Sequence, residues 1–114
     1  RIKWMLLAKY NKQPAEVKRY VISFAKFLSS SELILTSPLP VGTVRLLNPA
    51  SDTDPEIASP TLSVSNITVV NNQTEVGYFI AGATDGKRYQ VTITSYTDQS
   101  QVVESEIEFR VVEI

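Results

Sequence analysis

The chain of 114 residues contains no cysteine and no histidine. Without cysteine there is neither a disulfide framework nor a thiolate, and without histidine the usual imidazole ligands of zinc, copper and iron are missing too. The two absences also exclude a Ser/His/Asp triad, a Cys/His pair and any histidine acid or base. We therefore expect no catalytic residues, no metal site and no cofactor.

An excess of one charge and long apolar runs are also missing. Eleven basic residues stand against twelve acidic ones, so the formal net charge is -1, and no overall field would hold nucleic acid or an anionic membrane. No stretch approaches the roughly 20 apolar residues of a membrane-spanning helix. At this length the chain is predicted to be one small domain that binds neither nucleic acid nor membrane.

From Leu62 onward the sequence contains a series of β-strand patterns. TLSVSNITVV and EVGYFI are rich in β-branched and aromatic residues and are separated by NNQT, which predicts a hairpin. In YQVTITSYT, apolar and polar residues alternate so that Tyr89, Val91 and Ile93 share one face. SEIEFRVVEI alternates in the same way. Several short strands at this spacing predict a sandwich.

The segment AEVKRYVISFAKFL supports two structures. Its apolar positions follow the i, i+3, i+4, i+7 spacing of an amphipathic helix. However, Tyr20, Ile22 and Phe24 alternate, and the β-branched residues around them favour strands. We therefore favour a strand over residues 19–24, followed by a helical turn over residues 25–28.

After this segment, ELILTS predicts a short strand, and residues 41–60 predict a loop because they hold three prolines. Within the loop, TVRLL is a candidate strand. Asp52, Asp54 and Glu56 stand at alternate positions and could offer oxygen ligands to a calcium ion. A calcium site needs about six to eight oxygens, and no glycine shapes this stretch. We therefore favour a solvated acidic loop.

Tyr89 stands at the start of a late strand, three residues after the turn glycine Gly86. In Greek-key sandwiches a tyrosine at such a place sends its hydroxyl back to the backbone just upstream and pins the crossover between the sheets. A plain core tyrosine is the alternative. We expect a buried ring and a hydroxyl that bonds backbone within a few residues upstream.

Residues 1–13 are interpreted as an N-terminal arm and residues 14–114 as the sandwich domain. The arm carries an apolar run that would be a liability if it were exposed in a free monomer: Trp4, Met5, Leu6 and Leu7. It packs either on its own sandwich or on another subunit, where it would supply a buried aromatic anchor. The front of the chain also has a basic bias, which could bind an acidic neighbour but is interpreted as ordinary solvated charge: Lys9, Lys12, Lys18, Arg19 and Lys26.

Two blocks of the sequence resemble the phage fibre-tail adaptor proteins, which are small immunoglobulin-like virion components. In KQPAEVKRYVISFAKFLSSSELI, the shared features fall on Pro14, Tyr20, Ile22, Phe24, Leu28, Glu32, Leu33 and Ile34. In the block from VGYFI to the end, they fall on Phe79, Gly82, Gly86, Tyr89, Val91, Ile93 and the closing FRVVE. The sequence departs from the family at Phe24 and Phe79, where tryptophan is favoured, and at Ala83, where a second glycine is usual. The aromatic changes are expected to conserve core volume.

The resemblance implies an all-β fold: an immunoglobulin-like Greek-key β-sandwich of about seven strands with an extended N-terminal arm and a short helical turn. The structural positions it implies are Tyr20, Phe24, Phe79, Gly86 and Tyr89. The implied function is that of a structural virion protein, not an enzyme, that links fibres to the tail or neck of a bacteriophage. Its implied partners are other tail, neck and fibre proteins and further copies of itself around the tail axis, after synthesis in the bacterial host cytoplasm.

The alternative function is a cell-surface adhesion or carbohydrate-binding sandwich. Such a module would more often carry a signal peptide, and a sugar site would expose aromatic side chains on loops. Here Tyr78, Phe79 and Tyr89 fall in predicted strands, which favours the virion component.

Overall fold

The computed structural model describes the backbone of residues 2–113 and the side chains of residues 9–113. This part of the chain forms seven β-strands: β1 (Ile2–Lys12), β2 (Lys18–Ser23), β3 (Val41–Leu46), β4 (Leu62–Val70), β5 (Glu75–Gly82), β6 (Arg88–Tyr96) and β7 (Val102–Val111). A single 3-10 turn (Ala25–Phe27) follows β2, and a short helix, α1 (Pro55–Ala58), precedes β4.

The strands form two sheets, in the orders β1-β7-β6-β3 and β2-β5-β4. Paired strands run antiparallel except β1, which lies parallel to β7. The pairing of β3, β6 and β7 in one sheet and of β2, β5 and β4 in the other is that of an immunoglobulin-like sandwich. The predicted all-β sandwich is confirmed, with β1 added beside the last strand.

The core lies between the sheets and consists of the inward positions of the alternating strands. On β6 the side chains of Tyr89, Val91 and Ile93 are fully buried, and on β7 those of Ile107 and Phe109 are buried in the same way. Each of these apolar residues is followed by a polar residue that points outward, as the two-residue period of a strand requires. The alternation predicted for both strands is confirmed.

The strand predicted over residues 19–24 is also confirmed. β2 covers Lys18–Ser23, with Tyr20 and Ile22 buried, and Phe24 is fully buried where the 3-10 turn begins. The helical interpretation is wrong, because β2 pairs along its length with β5 and its period of two places the apolar side chains in the core. The Tyr20 ring meets that of Phe109 edge-on at 5.2 Å between centroids, an arrangement that stabilises aromatic pairs by about 1 kcal/mol beyond burial.

Two other predictions about elements need correction. ELILTS forms no strand in the described structure beyond a single bridge between Ile34 and Thr97. Pro38 and Pro40 follow at once, and proline cannot donate a backbone hydrogen bond to a ladder. In contrast, the candidate strand at TVRLL is real but begins earlier, at Val41, and pairs with β6 throughout.

The predicted core role of Phe79 is wrong. β5 directs Tyr78 into the core, where it is 1% exposed, so its neighbour Phe79 lies half-buried on the outer face of the three-stranded sheet. Its register partner on β2 is Arg19, which is exposed. Because only one of two adjacent aromatic residues in a strand can face inward, the core-volume argument applies to Phe24 and not to Phe79.

The predicted arm has a backbone partner within its own chain. Residues 2–12 form β1, which pairs with β7 along its length apart from a shift between Leu6 and Ala8. The segment is therefore the outermost strand of the four-stranded sheet. The side chains of Trp4, Met5, Leu6 and Leu7, predicted to form an interface, lie outside the described residues.

Lys12, interpreted from the sequence as solvated, is instead 2% exposed. Its ammonium group donates to the backbone carbonyls of Gly82 at 2.6 Å, Gln13 at 2.7 Å and Pro14 at 3.2 Å. Burial lowers the pKa of Lys12, and the nearby charge of Glu16 partly offsets this effect. The three carbonyls satisfy all three donors of the ammonium group, so Lys12 fixes the end of β1 to the end of β5.

Ala83 occupies a backbone conformation that favours glycine, with φ at 98°. A non-glycine residue in such a region costs about 1–3 kcal/mol, whereas glycine adds about 0.5–1 kcal/mol of unfolded-state entropy. We expect Ala83→Gly to raise the free energy of unfolding by about 1 kcal/mol, measured by chemical denaturation. Ala81→Gly, inside β5 without a positive φ, is the matched control and should lower it by about 0.5–1 kcal/mol. Equal losses for both variants would contradict the expected strain.

Candidate interaction surfaces and their structural anchors

Tyr89 pins the connection between β5 and β6. Its ring is fully buried, and its hydroxyl accepts a hydrogen bond from the backbone N–H of Thr84, five residues upstream, at 3.1 Å. The burial and the backbone bond predicted for Tyr89 are both found. The turn that brings Thr84 back depends on Gly86, whose φ is 84° and around which an added Cβ would meet no atom within 4 Å. Glycine is favoured at this position because of its positive φ, since a larger side chain would meet no steric obstacle.

A buried carboxylate that the sequence analysis did not anticipate completes this corner. Glu56, 7% exposed, accepts hydrogen bonds from the hydroxyls of Tyr89 at 3.0 Å and Thr84 at 2.7 Å. It also accepts from Thr61, through the backbone N–H at 2.9 Å and the hydroxyl at 2.7 Å. Burial alone would raise the pKa of Glu56, but these hydrogen bonds outweigh it and lower the pKa. One side chain thereby joins the loop before β4 to the turn before β6.

Asp54 is likewise a structural residue. It caps α1 by accepting from the backbone N–H of Glu56 at 3.0 Å, accepts from that of Ala50 at 3.1 Å, and forms an ion pair with Lys87 at 2.5 Å. The hydrogen bond from Lys87 and the two backbone donors lower the pKa of Asp54 to about 2. Asp-Pro-Glu is the pattern of an N-cap followed by proline at the first helical position, so the sequence did contain the signal for this cap.

The solvated acidic loop predicted from the sequence is therefore wrong for Asp54 and Glu56, although Asp52 is exposed. Protein donors occupy the oxygens of both buried carboxylates, which removes them as free ligands for calcium. Among the described residues, no three acidic side chains gather into a group that could hold a metal ion.

A third buried carboxylate lies toward the other end of β6. Glu32, 2% exposed, accepts from the backbone N–H of Ser29 at 3.0 Å and from the hydroxyl of Thr97 at 2.5 Å. Tyr89 and Thr97 lie near opposite ends of the same strand. The loops at both ends of the sandwich are thus held by buried carboxylates that the core strands position, which makes the domain a fixed scaffold for its surfaces.

The outer face of the four-stranded sheet separates its charges along the strands. At one end, which we term the basic end, lie Lys9, Arg45, Arg88 and Arg110, with the single carboxylate of Glu108 among them. Toward the other end, termed the acidic end, Glu104 and Glu106 follow one another on β7. The basic end includes an open depression of about 660 Å³, lined in part by Lys9, Arg88 and Arg110.

The outer face of the three-stranded sheet is different in character. The half-buried ring of Phe79 lies there beside Arg19, whose guanidinium crosses over Gly77 so closely that an added Cβ would come within 2.6 Å of it. Gly77 therefore provides the space in which the arginine lies flat on the sheet. No helix in the described part of the chain is long and apolar enough to cross a membrane.

These features define the class of protein. It is an immunoglobulin-like β-sandwich in which buried polar groups fix the loops. Its distinctive surfaces are the outermost strand, β1, and the outer faces of the two sheets. Residues 12–110 match the family model Gp77, described as "Podophage GP4 fiber-tail adaptor protein gp77". Because the match spans most of the chain, this protein belongs to that family of podophage fibre-tail adaptors, as its sequence resemblance indicated. No curated protein matches the chain.

Membership of this family gives the protein a structural role in a phage virion, in association with tail and fibre proteins. The matched region begins at the last residue of β1 and ends on β7. It therefore includes all three buried carboxylates, the Tyr89 corner and the strands β2 to β7, whereas nearly all of β1 lies before it.

Proposed function

We propose that this protein is an adaptor that links fibres to the tail or neck of a podophage, as a symmetric set of copies around the tail axis, after synthesis in the host cytoplasm. The observation that carries the proposal is the match of residues 12–110 to the fibre-tail adaptor family. The fixed loops at both ends of the sandwich support it, because a spacer between two assemblies must hold its contact surfaces at constant separation.

We further propose that β1 supplies the contact with a neighbouring chain through Trp4, Met5, Leu6 and Leu7. β1 is the outermost strand of its sheet and has β7 as its partner on one side. An outer strand leaves unpaired backbone groups that natural proteins either blunt or use for association. Large apolar side chains, tryptophan above all, are typical anchors of protein interfaces. Lys12 holds the base of the strand to Gly82, so residues before it can contact a neighbour without loosening the sandwich.

Deletion of residues 2–11, which retains Lys12, tests the proposed contact through β1. We expect the truncated chain to keep its β-sheet circular dichroism spectrum and to be absent from purified particles, because the contact side chains are removed while the matched domain remains. Incorporation would be measured by quantitative mass spectrometry of particles from cells in which the variant replaces the natural chain. Normal incorporation would contradict a role for β1 in assembly.

Full-length variants test the same contact if the truncated chain does not fold. The Trp4→Ala/Leu6→Ala variant removes apolar contact area and leaves the β1 backbone in place. Its matched control is Val17→Ala, which removes an apolar side chain that is 65% exposed before β2. We expect the double variant to be lost from particles and the control to be retained. A double variant that is much less stable than the control in isolation would show that these side chains pack on their own sandwich instead.

A further inference from the structure

The basic end carries positive charge that its own chain does not balance. Arg88 on β6 forms an ion pair with Glu108 on β7 at 3.2 Å. Arg110 lies directly across from Arg88 in the strand register, and like charges in that position destabilise a strand pair. Among the described side chains, Arg110 and Lys9 form no ion pair, and Arg45 donates to a neutral amide at 3.1 Å. The basic end therefore has uncompensated cations.

The depression at this end is built on ordered elements. Its lining includes Lys9 from β1, Arg110 from β7 and Arg88 from β6. Asn48 accepts from the backbone N–H of Arg88 at 2.6 Å and donates to the carbonyl of Gly86 at 3.3 Å. These bonds tie the loop after β3 to the start of β6. A surface that is already ordered loses less entropy when it binds a partner.

The size and charge of the depression indicate what kind of partner fits it. Its volume of about 660 Å³ is within the roughly 300–1,000 Å³ of ordinary small-molecule clefts, but those are mostly apolar and this one is lined mainly by charged and amide side chains. Nucleic acid is disfavoured, because a phosphate backbone that continued along this sheet face would meet Glu104 and Glu106. A peptide with a few carboxylates matches the site, since its negative charge can be confined to the unpaired cations.

The unpaired cations set the spacing of these carboxylates. Lys9 is the register partner of Glu108, so it lies one strand over and two residues back from Arg110. Diagonal neighbours of this kind are about 7–8 Å apart. Alternate residues of an extended segment point to one side and lie about 7 Å apart. Two acidic residues separated by one residue therefore match Lys9 and Arg110, while Glu108 stays paired with Arg88 on the far side from β1.

A second copy of this chain does not offer such a pair of carboxylates to the site. The acidic residues at alternate positions are Asp52, Asp54 and Glu56 in the loop before β4, and Glu104, Glu106 and Glu108 on β7. The β7 group shares a sheet face with the basic end, whereas copies placed around an axis meet through two different surfaces. In the loop, Asp54 and Glu56 already accept hydrogen bonds within their own chain. The segment therefore comes from a different protein.

We infer that the basic end binds an extended segment of another virion protein, in which two acidic residues separated by one residue place their carboxylates on Lys9 and Arg110. The bound carboxylates also offset the repulsion between Arg110 and Arg88. That the segment belongs to a virion protein rests on the proposed function, whereas the binding itself is measured with purified protein. Failure of the binding is therefore distinguishable from failure of the proposed function.

Nuclear magnetic resonance titration of the isotope-labelled full-length chain measures this binding and locates it. The first peptide is Gly-Ser-Glu-Thr-Glu-Ser-Gly with blocked ends, and in the second peptide both glutamates are replaced by glutamine. In the third peptide the two glutamates are adjacent, so an extended chain directs them to opposite sides. We expect the first peptide to shift the amide signals of Lys9, Gly86 and Arg110. It should bind about tenfold more tightly than the second and about threefold more tightly than the third, as two exposed ion pairs allow.

Charge-reversal variants test which residues bind the first peptide. Arg110→Glu should weaken binding about tenfold or more, because it places like charges across the contact. The variant should fold, since a glutamate at this position faces Arg88 across the strand pair. Lys9→Glu, on a different strand, should give a similar loss. The matched control is Arg19→Glu on the outer face of the three-stranded sheet, which should change the dissociation constant less than about twofold, because the thickness of the sandwich exceeds a Debye length.

The titrations also define the results that would overturn the inference. One is the absence of any shift at the basic end at low salt, and another is equal shifts from the glutamate and glutamine peptides. A loss of binding with Arg19→Glu as large as that with Arg110→Glu would place the contact elsewhere. A short DNA duplex that shifts the same signals at a lower concentration than the acidic peptide would show a nucleic-acid surface instead.

Discussion

Glu56→Ala should lower the free energy of unfolding by about 3 kcal/mol, one of the two largest effects that we expect from a single polar substitution in this protein. The substitution removes the acceptor of four hydrogen bonds, from Tyr89, Thr84 and two groups of Thr61. It leaves the backbone N–H of Thr61 and the buried hydroxyl of Tyr89 without their carboxylate partner. Urea denaturation monitored by circular dichroism measures the change.

Asp52→Ala is the matched control for this substitution, because Asp52 is an acidic residue of the same loop that is exposed. It should change the free energy of unfolding by less than about 0.5 kcal/mol. If the two variants lose similar stability, then the hydrogen bonds of Glu56 do not fix the corner, and the stabilising role assigned to its carboxylate is wrong.

The pH dependence of the free energy of unfolding provides a second test of the role of Glu56. Hydrogen bonds lower the pKa of Glu56 in the folded protein, and the contact with Lys87 lowers that of Asp54 to about 2. A lowered folded pKa means that the unfolded chain binds protons first as pH falls, so stability is full above the unfolded pKa values of about 4 and decreases below them. The stability difference between the natural chain and Glu56→Gln should therefore shrink as the pH falls below about 4, the pKa of an unfolded glutamate. A constant difference across this range would contradict the lowered pKa.

Tyr89→Phe should lower the free energy of unfolding by about 2 kcal/mol. The phenylalanine ring fills the same core space, so the loss arises from the hydroxyl alone. The backbone N–H of Thr84 loses its acceptor at 3.1 Å, and Glu56 loses the donor at 3.0 Å. Thermal and urea denaturation both measure this change without interference from a new cavity.

Tyr96→Phe is the control on the same strand, since Tyr96 is half-buried and no described group hydrogen-bonds its hydroxyl. It should cost less than about 0.5 kcal/mol. Combined with Glu56→Ala, Tyr89→Phe should lose less than the sum of the two single changes, by about 1 kcal/mol, because the two residues share a hydrogen bond. Strict additivity would show that the hydroxyl and the carboxylate act independently.

The sandwich could be predicted from the sequence largely because its strands alternate. Tyr89, Val91 and Ile93 alternate with polar residues without a break, which predicts a strand. At β2 the β-branched residues favour a strand over a helix. Phe79 could not be placed in this way, because two adjacent aromatic residues fit either register of the strand. Only the pairing of Tyr20 with Tyr78 decides which of them faces the core.

The buried carboxylates were harder to predict for a physical reason. Glu56 and Glu32 have no local pattern that distinguishes them from surface glutamates, and the hydroxyls of their partners Tyr89 and Thr97 belong to residues 33 and 65 positions away in the chain. A charged residue in a proline-rich loop is more often solvated than buried. The Asp54 cap on α1 differs, because it is made by neighbouring residues. The sequence Asp-Pro-Glu is sufficient to predict it.

The proposed link between fibres and a podophage tail can be examined directly by electron cryo-microscopy of the intact particle. We expect density for this seven-stranded sandwich at the junction between tail and fibre, in several copies around the tail axis, with β1 against a neighbouring chain. A particle reconstruction in which the fibres meet the tail through other proteins, and this sandwich is absent from the junction, would contradict it.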